Sequence, residues 1–212
     1  MKKKSESRNL ATKNAYVAST RPSQKEAEQA VRTLICWAGD NPNREGLLET
    51  PKRVVAAYRD FFAGYEADTD KILGKTFEEI EGYEDMVLLK NMRMESHCEH
   101  HMVPFIGEAH IAYIPDKKVV GISKIARLLD AFSKRLQTQE TMTSQIANTI
   151  NEVLKPKGVA VLIDAKHQCM TTRGVYKINT STITKTMTGQ FKNDPEMEKK
   201  FLIMINSNPQ KC

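Results

Sequence analysis

The densest cluster of chemically capable side chains is Cys98-Glu99-His100-His101. A cysteine and a histidine three residues apart can hold one soft divalent metal, and zinc is the usual occupant of such nitrogen–sulfur sites. Two ligands do not complete a site. Another thiol and imidazole lie far downstream in His167-Gln168-Cys169. Read as strand, positions 167 and 169 share a face with Val161 and Ile163, because side chains alternate with a period of two. Cys98, His101 and Cys169 then emerge as three ligands. Three leave a fourth position for water, the arrangement of a catalytic zinc, and His100 and His167 flank it free for proton transfer. A structural Cys2His2 site that takes His100 or His167 as its fourth ligand fits the same spacing. So does a chain without metal. His110, alternating with Ile111 and Tyr113, reads as structural, and His97 as a neighbour without a role of its own.

Ser123-Lys124-Ile125-Ala126-Arg127 is the second cluster. A serine read as the N-cap with Lys and Arg in the first turn opposes the helix dipole, which favours acid there. An anion held by amides, Ser123 and both cations would offset that cost, and a solvated charged face is the alternative. Arg173, four residues past Cys169, could bring another cation. Third is Gln137-Thr138-Gln139-Glu140, where Glu140 taken alone reads as dipole compensation. Two decoys fail. Gly74-Lys75-Thr76 lacks the earlier glycine of a phosphate loop, since position 69 is threonine, and the zinc-deaminase pattern needs a Cys-x-x-Cys that is absent.

These residues need elements to position them. Ser23-Gln24-Lys25-Glu26 is a capping box, and Ala27, Ala30, Val31, Leu34 and Ile35 continue as a helical stripe that Gly39 stops. Thr50-Pro51 starts a second helix with Val54, Val55, Tyr58 and Phe62 as its stripe. Residues 65–85 are acidic and left unassigned. Met86–Leu89 and Phe105–Ile114 read as strands. Helices follow from Ser123, with Ile125, Leu128, Leu129, Phe132 and Leu136 inward, and from near Thr138, with Met142, Ile146, Ile150 and Val153 inward. Gly158–Met170 and Val175–Phe191 read as strands, and Asn193-Asp194-Pro195 opens a last helix. Two strands, two consecutive helices and two strands predict an antiparallel sheet with helices on one face, an α+β fold. The expected organisation is a tail over 1–22, a helical section over 23–85 and a zinc-containing catalytic domain over 86–212.

Composition narrows the class. Apolar residues make up 40% and charged residues 27% of the 212, too apolar for a disordered chain. No apolar run reaches the ~18 residues of a membrane helix, and the basic start lacks the apolar stretch of a signal peptide. A cytoplasmic protein is the expectation. Of the net +6, +5 sits in residues 1–22, where Lys2, Lys3, Lys4, Arg8, Lys13 and Arg21 face only Glu6. That describes a solvated, disordered basic arm, so neither nucleic acid nor membrane is an expected partner. Four cysteines without a secretory signal argue against a disulfide framework. Cys36, in an apolar helical run, is expected to be buried, and Cys212 to fray.

Several of these stretches together resemble one family, GTP cyclohydrolase I, over roughly residues 27–205. Asn41-Pro42-Asn43-Arg44-Glu45-Gly46-Leu47 with Thr50-Pro51-Lys52-Arg53-Val54 is similar to its N-terminal signature. Ser96-His97-Cys98-Glu99-His100-His101 with Pro104-Phe105 resembles its first zinc motif, and His167-Gln168-Cys169-Met170 with Arg173-Gly174 its second. Gly121-Ile122-Ser123-Lys124, Ala126-Arg127, Gln137 and Gln139-Glu140 resemble the segment between. Thr171-Thr172 and Ile178-Asn179-Thr180 depart from the pattern without touching a ligand position. The resemblance implies a tunnelling fold, assembled into a homo-oligomer that is usually a decamer of two pentamers. It implies conversion of GTP and water to 7,8-dihydroneopterin triphosphate and formate, for folate and pterin synthesis. By the same resemblance Cys98, His101 and Cys169 bind Zn2+, and His100 and His167 are the acid–base pair. Gln139 and Glu140 read guanine, Ser123, Lys124, Arg127 and Arg173 hold the triphosphate, and Arg53 reaches phosphate as well.

Overall fold

Helical spacing and turn chemistry place most elements where the sequence puts them. The computed structural model describes residues 21–74, 76–77 and 83–207. The basic tail up to residue 20, and Cys212, lie outside the described residues. The chain divides into two compact units, the first ending at Arg59 and the second beginning at Asp60.

In the first unit α1 (Gln24–Trp37) opens with the complete capping box: the Ser23 hydroxyl accepts from the Glu26 amide, and the Glu26 carboxylate accepts from the Ser23 amide at 2.8 Å. Helix α2 (Thr50–Phe61) follows, with Pro51 in its first turn, where the missing N–H costs nothing. No residue of α1 is buried. Cys36 is exposed, which corrects the expectation of burial. The stripe itself is uncovered, with Leu34 63% exposed, so helical spacing alone buries none of these side chains.

The second unit is built on a five-stranded sheet. Helix α3 (Thr69–Leu73) and a short strand β1 (Thr76–Phe77) precede β2 (Val87–Cys98) and β3 (Pro104–Ile114). After β4 (Val119–Val120) come α4 (Ile122–Ser133), β5 (Leu136–Gln137), α5 (Gln139–Leu154) and β6 (Gly158–His167). A helical turn α6 (Gln168–Thr171), β7 (Thr182–Gly189), a turn α7 (Gln190–Asn193) and α8 (Pro195–Asn206) finish the chain. The sheet order is β5-β2-β3-β6-β7, antiparallel except for the parallel β5–β2 pair, while β1 and β4 form a separate pair. The architecture is α+β, as the element order predicts.

Side-chain alternation gives the sheet two apolar faces. Odd-numbered residues of β3 and β6, among them Phe105, Ala109, Ile111, Val161 and Ile163, pack against Ile125, Leu128 and Leu129 of α4 and Met142, Ile146 and Ile150 of α5. Even-numbered residues Ala112, Ile114, Ala160 and Leu162 pack under Phe191 and Phe201 of the last two helices. Helices α4 and α5 thus cover one face, as expected, while α8 adds a cover on the other, and the ends of β2, β3 and β6 emerge together at one edge. A bulge between Leu89 and Met92 places Asn91 at φ 56°, and the His110 Nδ1 accepts from the Asn91 amide at 3.2 Å. That confirms His110 as structural. Burial holds its pKa below the usual 6.5, with Lys90 reinforcing the shift and Glu108 and Asp164 opposing it.

Several local expectations change. Strand β2 runs on from Val87 to Cys98, the expected strand over Val175–Phe191 is confined to Thr182–Gly189, and Leu136 lies in β5 and not on the helix stripe. Strand β6 stops at His167 rather than running through Cys169 and Met170. The last ladder pair is Phe105 with His167, and the next partner would be Pro104, which has no N–H to donate. The chain turns instead into α6, where the Thr172 hydroxyl donates to the Gln168 carbonyl at 2.7 Å. Helix α4 begins at Ile122 with Gly121 as its N-cap and no side-chain cap, so Ser123 is a first-turn residue and not the cap.

Candidate metal and nucleotide site

Three strand ends, those of β2, β3 and β6, deliver the site. Cys98 ends β2, its amide donating to the Val103 carbonyl at 2.9 Å and so closing a tight turn through Met102, which sits at φ 54°. That turn projects His100 and His101 back over Cys98, with each Nδ1 3.7 Å from the Cys98 Sγ. Cys169 arrives on α6. One ligand atom from each of Cys98, His101 and Cys169 lies within 4.8 Å of the others, a set that could hold a metal ion. His100 is as near Cys98 as His101 is, but it does not belong to the set; its Nε2 lies 3.8 Å from the Glu99 carboxylate.

The donor chemistry fits zinc. Two thiols and an imidazole are the soft, borderline ligands that zinc prefers, and three ligands leave an open position. Burial and the adjacent Cys98 thiol push the Cys169 thiol up, and the positive charge of Arg173 works against this. Two adjacent thiolates repel unless a cation lies between them, so binding a divalent ion and losing both protons are coupled.

His167 stands beside this set at the end of β6. Its ring stacks on Phe105 with centroids 4.5 Å apart and planes 3° from parallel. Its Nε2 meets the Gln139 Oε1 at 2.8 Å. Burial lowers its pKa, and the nearby Glu140 carboxylate partly restores it. Glu140 is exposed in the first turn of α5, whose N-cap is Thr138. Gln139 is 1% exposed.

The structure therefore gathers Cys98, His101, Cys169, His100, His167, Gln139, Glu140 and Arg173 around one sheet edge. Ser123 and Arg127 lie exposed one turn apart on α4, with Lys124 half-buried between them. No acidic residue stands in that first turn. Arg53 is exposed on α2 in the first unit. Sequence reasoning missed two features: the stacking platform of Phe105 and the internal bonding of Gln139. Phe105 reads as a strand residue that also belongs to the first zinc motif, and nothing in its own neighbourhood pairs it with position 167. Only the β3–β6 register does.

Comparison with known proteins gives a consistent result. Residues 27–206 match the family model described as GTP cyclohydrolase I. The GTP cyclohydrolase 1 of Maricaulis maris is 62% identical over 195 residues, 92% of this chain and 95% of that protein. That of Hyphomonas neptunium is 60% identical over 184 residues, 87% of this chain and 89% of that protein. Among solved structures, the archaeosine synthase QueF-Like in the apo form aligns with a TM-score of 0.42 and 20% identity, covering 49% of this chain and 93% of that one.

Proposed function

The chain belongs to the GTP cyclohydrolase I family, and from that membership we propose that it converts GTP and water to 7,8-dihydroneopterin triphosphate and formate, an early reaction of folate and pterin synthesis. The observation that carries the reading is the Cys98–His101–Cys169 set with His167 and Glu140 beside it. Zinc held by Cys98, His101 and Cys169 would supply Lewis acidity and an acidified water at the purine.

The chain's own groups do the rest. His167 donates a proton to purine N7, which makes C8 electrophilic, and supports opening of the imidazole ring. Its burial favours the neutral ring, so the proton is readily given up, while the charge of Glu140 favours regaining it. Glu140 as carboxylate accepts from guanine N1–H and the 2-amino group, donors that adenine does not present in that pattern. His100, exposed beside Glu99, serves the later ribose rearrangement and ring closure. Ser123, Lys124, Arg127 and Arg173 meet the triphosphate. The uncapped, acid-free start of α4 supports that assignment, because its free amides and cations favour an anion.

The working form is a homo-oligomer, a decamer of two pentamers, in the cytoplasm. Large apolar side chains left exposed on the single chain support association: Leu34 and Trp37 of α1, Val175, Tyr176 and Ile178 before β7, and Ile183 on β7 itself. No described helix is long and apolar enough to cross a membrane. The test is to incubate zinc-loaded protein with GTP and to measure formate together with the fluorescence of the oxidised pterin. Both products in equal amounts are expected. Intact GTP, or phosphate release without formate, would overturn the reading.

A further inference from the structure

Gln139 lies in a hydrogen-bond network that fixes which end of its amide faces which partner. The two hydrogens of its side-chain nitrogen are shared among three acceptors, the Ile163 carbonyl at 3.1 Å, the Thr182 carbonyl at 2.8 Å and the Thr184 Oγ1 at 3.1 Å. Backbone carbonyls can only accept, so the NH2 end of the amide must face them and the amide cannot be flipped. Thr143 donates its hydroxyl proton to the Gln139 carbonyl at 2.7 Å. Thr184 must therefore be the donor in the 2.7 Å contact between the Thr143 and Thr184 hydroxyls, which leaves its lone pairs to accept from Gln139. With the nitrogen end fixed, the Oε1 end faces His167 Nε2 at 2.8 Å. An amide oxygen only accepts. His167 must hold a proton on Nε2.

We infer that Gln139 is a positioning residue for His167, fixing Nε2–H so that Nδ1 is the ring nitrogen that exchanges its proton with the substrate. This deepens the proposed function and rests on it for the identity of the substrate. The Phe105 ring completes the device. Stacked nearly parallel at 4.5 Å, it opposes the ring rotation that would exchange the two nitrogens. In the neutral ring Nε2 carries the proton and Nδ1 the lone pair; in the cation both carry protons, and only the Nδ1 proton leaves. The amide has no donor to spare for a purine. Both N–H groups already have partners within the chain and the oxygen accepts from His167, which leaves the exposed carboxylate of Glu140 as the freer acceptor of this pair for guanine.

Two measurements decide. The first is made on wild-type, zinc-loaded full chain labelled with 15N-histidine, at a pH where His167 is neutral, with the His167→Asn spectrum identifying the signal. A protonated Nε2 and an unprotonated Nδ1 are expected. The opposite tautomer would overturn the inference, and this readout needs no turnover of GTP. The second is steady-state kinetics of Gln139→Met on GTP and inosine triphosphate. A fall in kcat of at least about tenfold is expected, with KM for GTP and the preference for GTP over inosine triphosphate unchanged. A raised KM with unchanged kcat, or a lost preference, would return Gln139 to guanine recognition. If Gln139→Met does not fold, the wild-type tautomer still decides. Wild type that releases no formate would refute the proposed reaction while leaving the tautomer result intact.

Discussion

Replacing Gly107 with alanine perturbs the strand pairing that aligns His167 and Phe105 without touching either. Gly107 lies on β3 opposite Ala165 of β6, two residues before the Phe105–His167 end of the ladder is reached. A Cβ built on Gly107 meets the Asp164 carbonyl oxygen at 1.9 Å, the Ala165 Cα at 2.5 Å and the Ala165 Cβ at 2.8 Å. Real Cβ contacts essentially never fall under 3.0 Å, so β3 and β6 must part by at least 1.1 Å here. The obstacle is backbone on both sides, with no flexible side chain to swing away. Overpacking of this kind costs typically 1–3 kcal/mol, and rigid neighbours put this site near the upper end, at about 3 kcal/mol. In a chain of this size that lowers the melting temperature by roughly 6–12 °C. Because the displaced strands carry His167 and lead into Cys169, a shift of about 1 Å should cut kcat/KM for GTP by about a hundredfold. Melting by circular dichroism and formate release measure the two effects. Gly121→Ala is the control: its Cβ meets nothing within 4 Å, and its melting temperature should stay within about 2 °C of wild type. A Gly107→Ala protein with unchanged melting and turnover would refute the claim that close approach of β3 and β6 sets the site.

Cys169→Ala should lose both bound zinc and turnover, since two remaining ligands do not make a stable site; metal analysis showing full zinc occupancy would sink the ligand assignment. Glu140→Gln replaces two acceptors with one acceptor and one donor, a mismatch against guanine's two donors worth roughly 1–3 kcal/mol, or about ten- to a hundredfold in kcat/KM. Inosine triphosphate, which lacks the 2-amino group, should suffer less from that change, and equal GTP kinetics for wild type and variant would make Glu140 an ordinary first-turn acid. His110 titrates below the usual 6.5 in the folded chain, chiefly through burial, with Glu108 and Asp164 opposing and Lys90 reinforcing the shift. The unfolded chain therefore takes up this proton first as pH falls, so the contribution of neutral His110 is complete above 6.5 and is lost as pH drops through the folded value. His110→Gln should flatten the decline of melting temperature below about pH 6.5, and parallel curves for the two proteins would contradict it.

What the sequence settled is whatever repeats along one element or is fixed by chemical type. The 3.6-residue stripes of α4 and α5 announced Ile125, Leu128, Leu129, Met142, Ile146 and Ile150 as core, and each is buried. Ser23 and Glu26 announced the capping box, because a cap is satisfied within four residues. Cys98, His101 and Cys169 announced themselves by ligand chemistry, and one metal could hold all three. What only the tertiary structure decided depends on partners supplied by other strands. The end of β6 at His167 is set by Pro104 across the ladder, so Cys169 reaches the site on a helical turn and not on a strand. The stack of Phe105 on His167 follows from register, and register is a relation between two segments that neither segment's pattern contains. Gln139 shows the same limit most sharply. In the sequence it is a polar residue at a helix start, open to any role. Its bonds to Ile163 on β6 and to Thr182 and Thr184 on β7 exist only because folding brings two distant strands beside that helix, and those bonds leave its oxygen for one partner, His167.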